Sequence, residues 1–151
     1  MNSMKKILFI FSLLCCSAII NAQDVEGSDV PNLVKVKLFS MYPKFDQEDI
    51  DWSVENGNYL AELDVNEMEI SVLFNPKGAV LEKKVEVKQT ELPKPASDYI
   101  RKNYTGKHMG DVFKVTAGKS ETWLVEVEKD ELIFDKTGKF VKVAEQKDND
   151  K

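Results

Sequence analysis

The clearest order in the chain is an alternation of apolar and polar positions that begins near residue 50 and recurs in short runs. Ile50, Trp52 and Val54 fall on one side of an extended chain, with Asp49, Asp51 and Ser53 on the other. Asn56-Gly57 supplies the left-handed pair that a two-residue hairpin needs. Tyr59, Ala61, Leu63 and Val65 then alternate with Leu60, Glu62 and Asp64, and Ile70, Val72 and Phe74 with Glu69, Ser71 and Leu73. Asn75-Pro76-Lys77-Gly78 is a turn, and 81–87 make a fourth run with Glu82, Lys84 and Glu86 pointing outward. Period-two patterning over four runs joined by short turns predicts an antiparallel meander.

A helical stretch precedes these runs. Pro31 fits the first position of a helix, where its missing N–H costs nothing. Val34, Leu38, Met41 and Tyr42 recur at helical spacing, and Pro43 ends the helix because the residue before a proline avoids the α region. The order then starts again. Leu92-Pro93 mirrors Val30-Pro31, 62 residues on, and Ala96, Ile100 and Tyr104 mirror Val34, Leu38 and Tyr42. Strands are predicted at 112–116, 122–128, 132–135 and 139–143, where Phe134 with Gly138 echoes Phe74 with Gly78.

The predicted fold class is α+β: a tandem repeat of one helix plus about four antiparallel strands, joined in one extended sheet with both helices on one face. The repeats span 30–89 and 92–146 of a single domain. A unit of ~60 residues is near the lower limit for independent folding, so the halves should share their sheet. Polar 23–29 read as a disordered lead-in and 147–151 as a charged tail. The aromatics Tyr42, Trp52, Tyr59, Phe74, Tyr104, Phe113, Trp123 and Phe134 are expected on the inward positions.

The first 22 residues set the compartment. Lys5 and Lys6 precede an apolar run over 7–20, and Asn21-Ala22-Gln23 offers a small residue for cleavage, which is the pattern of a secretory signal peptide over 1–22. The run is shorter than the roughly 20 apolar residues of a spanning helix, so no stable membrane insertion is expected after cleavage. Cys15 and Cys16 lie deep in the apolar run and do not follow a small residue as a lipid-attachment cysteine would. Both leave with the signal peptide, so the mature chain has no thiol for a disulfide or metal site. Losing Lys5 and Lys6 leaves 19 basic against 26 acidic residues, a net charge of −7. An acidic surface repels phosphate backbones, and Arg101 is the sole arginine, which argues against nucleic acid as a partner.

Candidate chemistry is sparse. His108 is the only histidine and has no second histidine or cysteine with which to hold a metal, so it reads as a loop residue. Asp46, Glu48, Asp49 and Asp51 form an acidic run without the central glycine and closing glutamate of a calcium-binding EF loop. No serine lies in a Gly-x-Ser-x-Gly frame and no glycine-rich phosphate loop is present. The sequence therefore predicts no catalytic residue, no metal and no cofactor, and a protein that is not an enzyme.

Taken in order, Val30-Pro31, the 39–43 stretch with its Tyr-Pro, Trp52, Tyr59-Leu-Ala-Glu, Phe74-Asn-Pro-Lys-Gly78, Leu92-Pro93, Tyr99-Ile100, Tyr104 and Phe134-Asp-Lys-Thr-Gly138 carry a resemblance. They resemble the PepSY-like, β-lactamase-inhibitor-like family of secreted Bacteroidota proteins, over nearly the whole mature chain. The resemblance implies a β-lactamase-inhibitor-like fold and a periplasmic or secreted location, and it carries no catalytic residue. The function expected is that of an exported, non-catalytic binding protein of the envelope, an inhibitor or modulator of an exported enzyme. The alternative is an accessory protein that binds a small ligand, peptide or lipid. The expected binding face is the polar side of the strands, with Leu60, Glu62, Asp64, Leu73, Leu124, Glu126 and Ile133, set to receive an envelope or secreted protein with a basic surface.

Overall fold

The computed structural model describes residues 23–46 and 49–144. Residues 1–22, read from the sequence as a signal peptide, the expected charged tail over 147–151 and Glu48 of the acidic run lie outside the described residues.

Among the described residues nine strands form one sheet in which each strand pairs antiparallel with the next in sequence. They are β1 (Gln23–Asp24), β2 (Asp51–Glu55), β3 (Asn58–Val65), β4 (Met68–Phe74), β5 (Val80–Val87), β6 (Met109–Ala117), β7 (Ser120–Val127), β8 (Asp130–Asp135) and β9 (Phe140–Val143). Two ten-residue helices interrupt the meander, α1 (Asn32–Met41) between β1 and β2 and α2 (Lys94–Asn103) between β5 and β6.

The fold expected from the sequence is corrected here. A tandem helix-plus-four-strand repeat with both helices on one face gives way to a continuous nine-stranded meander, mostly sheet, with two short helices set into it. The strand order begins before α1, because Gln23 and Asp24 pair with Val54 and Ser53, and the Val25 N–H donates to the Trp52 carbonyl at 3.1 Å. The lead-in over 23–29 is thus ordered, with a 3-10 turn at Gly27–Asp29 following the strand. Alternation cannot reveal a two-residue strand whose side chains are both exposed. Its warrant is the backbone of β2, whose outer row of hydrogen-bonding groups would otherwise lack a partner strand.

Each helix packs on its own apolar cluster. Val34 and Leu38 of α1 meet Trp52, Ala61, Leu63, Ile70, Val72 and Phe74. Ala96 and Ile100 of α2 meet Val112, Trp123, Val125, Val127, Leu132 and Phe134. Burying such side chains stabilises by about 1.5–3 kcal/mol each relative to exposure. Asn56 and Gly57 both take positive φ, 50° and 76°, as the hairpin turn requires. Two further turns anchor the helices to the sheet. Asn75 Oδ1 accepts from the Lys77 and Ala79 N–H groups, and Asp135 Oδ1 from those of Thr137 and Lys139. Each turn ends in a glycine pressed against a helix start: a Cβ on Gly78 would lie 2.7 Å from the Leu33 carbonyl oxygen, and one on Gly138 2.7 Å from Pro93 Cβ.

Phe113 departs from its expected side. It pairs with Leu124 and with Glu86, so it lies opposite the side that carries Trp123. Val112 and Phe113 are both apolar, so alternation alone could not say which of them faces α2; Val112 does.

Candidate protein-binding face

The polar positions of the strands converge once the register is fixed. Leu60 pairs with Leu73 across β3 and β4, and Leu73 with Glu82 on β5. Glu62 pairs with Ser71, and Ser71 with Lys84. Farther along the sheet Leu124 pairs with Ile133, and Glu126 with Glu131. Leu60, Glu62, Asp64, Leu73, Leu124, Glu126 and Ile133 therefore share the side of their strands opposite the helix-packed clusters. The Lys84 field reaches Glu62 on one part of the sheet and Glu126 on the other.

The face is not an ordinary solvated one. Leu60 is 3 % and Phe113 1 % exposed, and Leu73 is buried, yet none of the three belongs to a cluster packed by α1 or α2. Polar groups are buried with them: Ser71 is 5 %, Lys84 6 % and Glu82 7 % exposed. Ser71 and Glu82 make no side-chain hydrogen bond among the described residues. The buried side-chain N and O atoms left without a partner among the described residues are instead those of Tyr42 and Trp123, so the Ser71 and Glu82 oxygens keep some access to water.

Like charges are set opposite one another. Asp51 pairs with Glu62, Asp64 with Glu69, and Glu126 with Glu131. Directly opposite residues hold their Cβ atoms only about 4.5–5.5 Å apart, and like charges there are destabilising. Lys84, on the middle strand of the nine, is the cation that reaches Glu62, Glu69, Glu82, Glu126 and Glu131. Its Nζ lies 3.8 Å from the centroid of the Phe113 ring.

Burial pushes the Glu62 carboxyl up to about 7, and Asp51 and Glu55 add to it against the pull of Lys84. Burial likewise holds Glu69 and Glu82 at about 7, with Lys84 opposing in both. Glu126 and Glu131 are raised, first by burial; Asp111 adds to the rise at Glu126, and Lys84 opposes it at both. Burial lowers Lys84 to about 8 against the attraction of its acidic neighbours. Gly110 makes room for Glu126: a Cβ there would stand 3.3 Å from Glu126 Cβ and 3.4 Å from its Oε2, and the Asp111 N–H donates to that carboxylate.

The sequence located Glu62, Asp64 and Glu126 on this side but took the face as exposed, and it did not bring Glu69, Ser71, Glu82, Lys84, Phe113 and Glu131 to the same place. The outward alternation of Glu69, Ser71, Glu82 and Lys84 was visible, whereas Phe113 was expected inward and Glu131 lay outside a predicted strand; the convergence of all six depends on register. His108 lies outside the face, exposed in its loop, where its N–H donates to Glu128 Oε1 at 3.3 Å. Asp51 is the member of the acidic run that joins the face. Among the described residues no three His, Cys, Asp or Glu side chains are placed to hold a metal ion, and no helix is long and apolar enough to cross a membrane. An open cleft of about 280 Å³ lies apart from the face at the end of α2, lined by Ile100, Arg101, Tyr104, Lys107 and Met109 among others.

No family model and no curated protein matches the chain. Solved structures do. A Bacteroides eggerthii protein whose description proposes a periplasmic location is 19 % identical with a TM-score of 0.68, covering 76 % of this chain and 88 % of its own. A DUF2874 family protein from Bacteroides uniformis is 22 % identical with a TM-score of 0.65, over the same shares of the two chains. A BLIP-like protein from Bacteroides fragilis is 20 % identical with a TM-score of 0.63, covering 80 % of this chain and 92 % of its own. At these identities the likeness is one of fold.

Proposed function

We propose that this chain is a non-catalytic binding protein of the bacterial envelope, working in the periplasm or beyond, whose face around Lys84 receives a partner protein with a basic surface. One observation carries the reading: three acid–acid pairs stand directly opposite each other on a face that also presents Leu124 and Ile133. A fold that retains like-charge pairs bears a cost, and a cationic partner removes it on docking. The aliphatic side chains supply apolar contact, and the carboxylates supply orientation and attraction. The BLIP-like fold of the Bacteroides fragilis neighbour agrees with inhibition or modulation of an exported enzyme as the role. The PepSY-like kinship carried by the sequence motifs belongs to the same proposal.

The alternative is an accessory protein that shelters a small ligand, peptide or lipid. The cleft beside α2 is the feature that favours it, with Arg101 and Lys107 at its rim.

The test is capture from envelope extract on the immobilised protein, with mass spectrometry of what elutes. Glu62→Gln with Glu126→Gln keeps the shape of both side chains and removes both charges. A protein held by the wild type, released by salt and not held by the double variant is the expected result. Equal capture of that protein by the double variant at low salt places the site elsewhere.

A further inference from the structure

Resting on that reading, we propose that this face is gated by protons: it takes up a cationic, aliphatic-flanked segment of its partner with release of protons, tightly above neutral pH and weakly below it. The geometry supplies the reason. The carboxylates stand in opposed pairs, Asp51 with Glu62, Asp64 with Glu69 and Glu126 with Glu131, and Lys84 is the cation they share. Ser71 and Glu82, both more than nine-tenths buried, lie on the same side of the sheet as Lys84 and make no side-chain hydrogen bond among the described residues. The site is thus crowded with acceptors and short of donors, and a guanidinium or ammonium group brings donors without an acceptor.

Nearby charges deepen the shortage. Asp24, Asp51 and Glu55 bear on Glu62, and Glu55 on Glu82. Asp64 and Glu86 bear on Glu69, and Asp111 on Glu126. Lys142 of β9 lies in the row beyond Ile133 and is exposed. With the site empty, protons stand in for the missing cations, in keeping with carboxyls at about 7 on Glu62, Glu69 and Glu82. A docking cation replaces those protons. Ordinary carboxyls are ionised well below pH 6, so a change between pH 6 and 7 reports on the raised carboxyls, with Lys84 joining them toward pH 8.

The probe is a synthetic peptide of alternating lysine and leucine, titrated calorimetrically into the purified protein at pH 6, 7 and 8. Each titration is run in two buffers of different ionisation enthalpy, and all variants carry His108→Gln so that the sole histidine takes no part. The expected result is an affinity that rises at least about tenfold from pH 6 to pH 8, as follows when docking ionises a single raised carboxyl, with proton release at pH 7. Glu62→Gln with Glu126→Gln should flatten that rise. Binding that is abolished in the double variant but independent of pH in the wild type overturns the gating and leaves the face reading standing. Binding that is unchanged in the double variant overturns the face reading, and no binding at any pH overturns both. Carboxyl carbon shifts of Glu62, Glu69 and Glu82, followed by NMR without peptide, give a second check: titration near 4 in all three overturns the gating.

Discussion

The Lys84 ammonium lies 3.8 Å from the centre of the Phe113 ring, on the side of the sheet opposite the helix-packed clusters. Lys84 belongs to β5 and Phe113 to β6, the strands that join the α1 cluster to the α2 cluster. A buried cation resting on an aromatic face among carboxylates is held by charge and by the ring together, and its removal leaves the carboxylates facing one another.

Lys84→Met should therefore destabilise in a pH-dependent way. At pH 7.5, where most of Lys84 is still charged and most of the carboxyls are ionised, the loss is expected at about 3–5 kcal/mol, as for a buried pair that loses one partner. At pH 5 the neighbouring carboxyls hold protons and the loss should be much smaller. Urea denaturation of both proteins at the two pH values checks this; equal losses would mean that Lys84 acts only through packing.

The wild type should melt higher at pH 5 than at pH 7.5. Glu62, Glu69 and Glu82 sit at about 7 in the fold against 4.5 as the ordinary value, so the folded state binds more protons in that interval. The stability they contribute is complete below 4.5 and is lost as pH rises through 7. Lys84 runs the other way. It sits at about 8 against 10.5, so the fold binds fewer protons there, and stability recovers as pH rises from 8 toward 10.5. A minimum in Tm between pH 7 and 8 is the signature, read by calorimetry; a plateau from pH 5 to 8 would contradict it.

Gly78→Ala and Gly138→Ala should each cost about 2 kcal/mol or more, against about 1 kcal/mol for Gly118→Ala. All three glycines take positive φ, at 79°, 86° and 59°. Only the first two carry the added collision with Leu33 or Pro93, whereas a Cβ on Gly118 meets nothing. Equal losses at the three positions would mean that the turns tilt freely away from the helices.

Trp52→Ala and Trp123→Ala should each cost about 3–5 kcal/mol, since both rings are buried in the helix-packed clusters. Trp123→Phe should lose much less than Trp123→Ala, because the buried Trp123 Nε1 has no hydrogen-bond partner to forfeit. Chemical denaturation of the variants decides it. A Phe variant as unstable as the Ala variant would point to the outer ring atoms and Lys114, which lies 5.7 Å from the ring centre, as the source of the stability.

The local chemistry of this protein is legible in its sequence because it acts over a few residues. Asn56-Gly57 fixes a hairpin through backbone conformation alone, and Gly78 and Gly138 close turns that Asn75 and Asp135 hold. Val34 with Leu38, and Ala96 with Ile100, mark helical stripes. Alternation likewise puts Glu62 and Glu126 on the side away from Trp52 and Trp123. What alternation cannot supply is the register of each strand on the next, and everything else about the face depends on it. Tertiary structure alone made Gln23–Asp24 a strand by giving it the edge of β2, and it put Phe113 rather than Val112 under Lys84. It also set Asp51, Asp64 and Glu126 each against another acid. A charge is read from the sequence one residue at a time, but its field is a sum over neighbours brought together by pairing. The carboxyls of Glu62, Glu69 and Glu82 were therefore raised toward 7 by the folded sheet and by nothing visible along the chain.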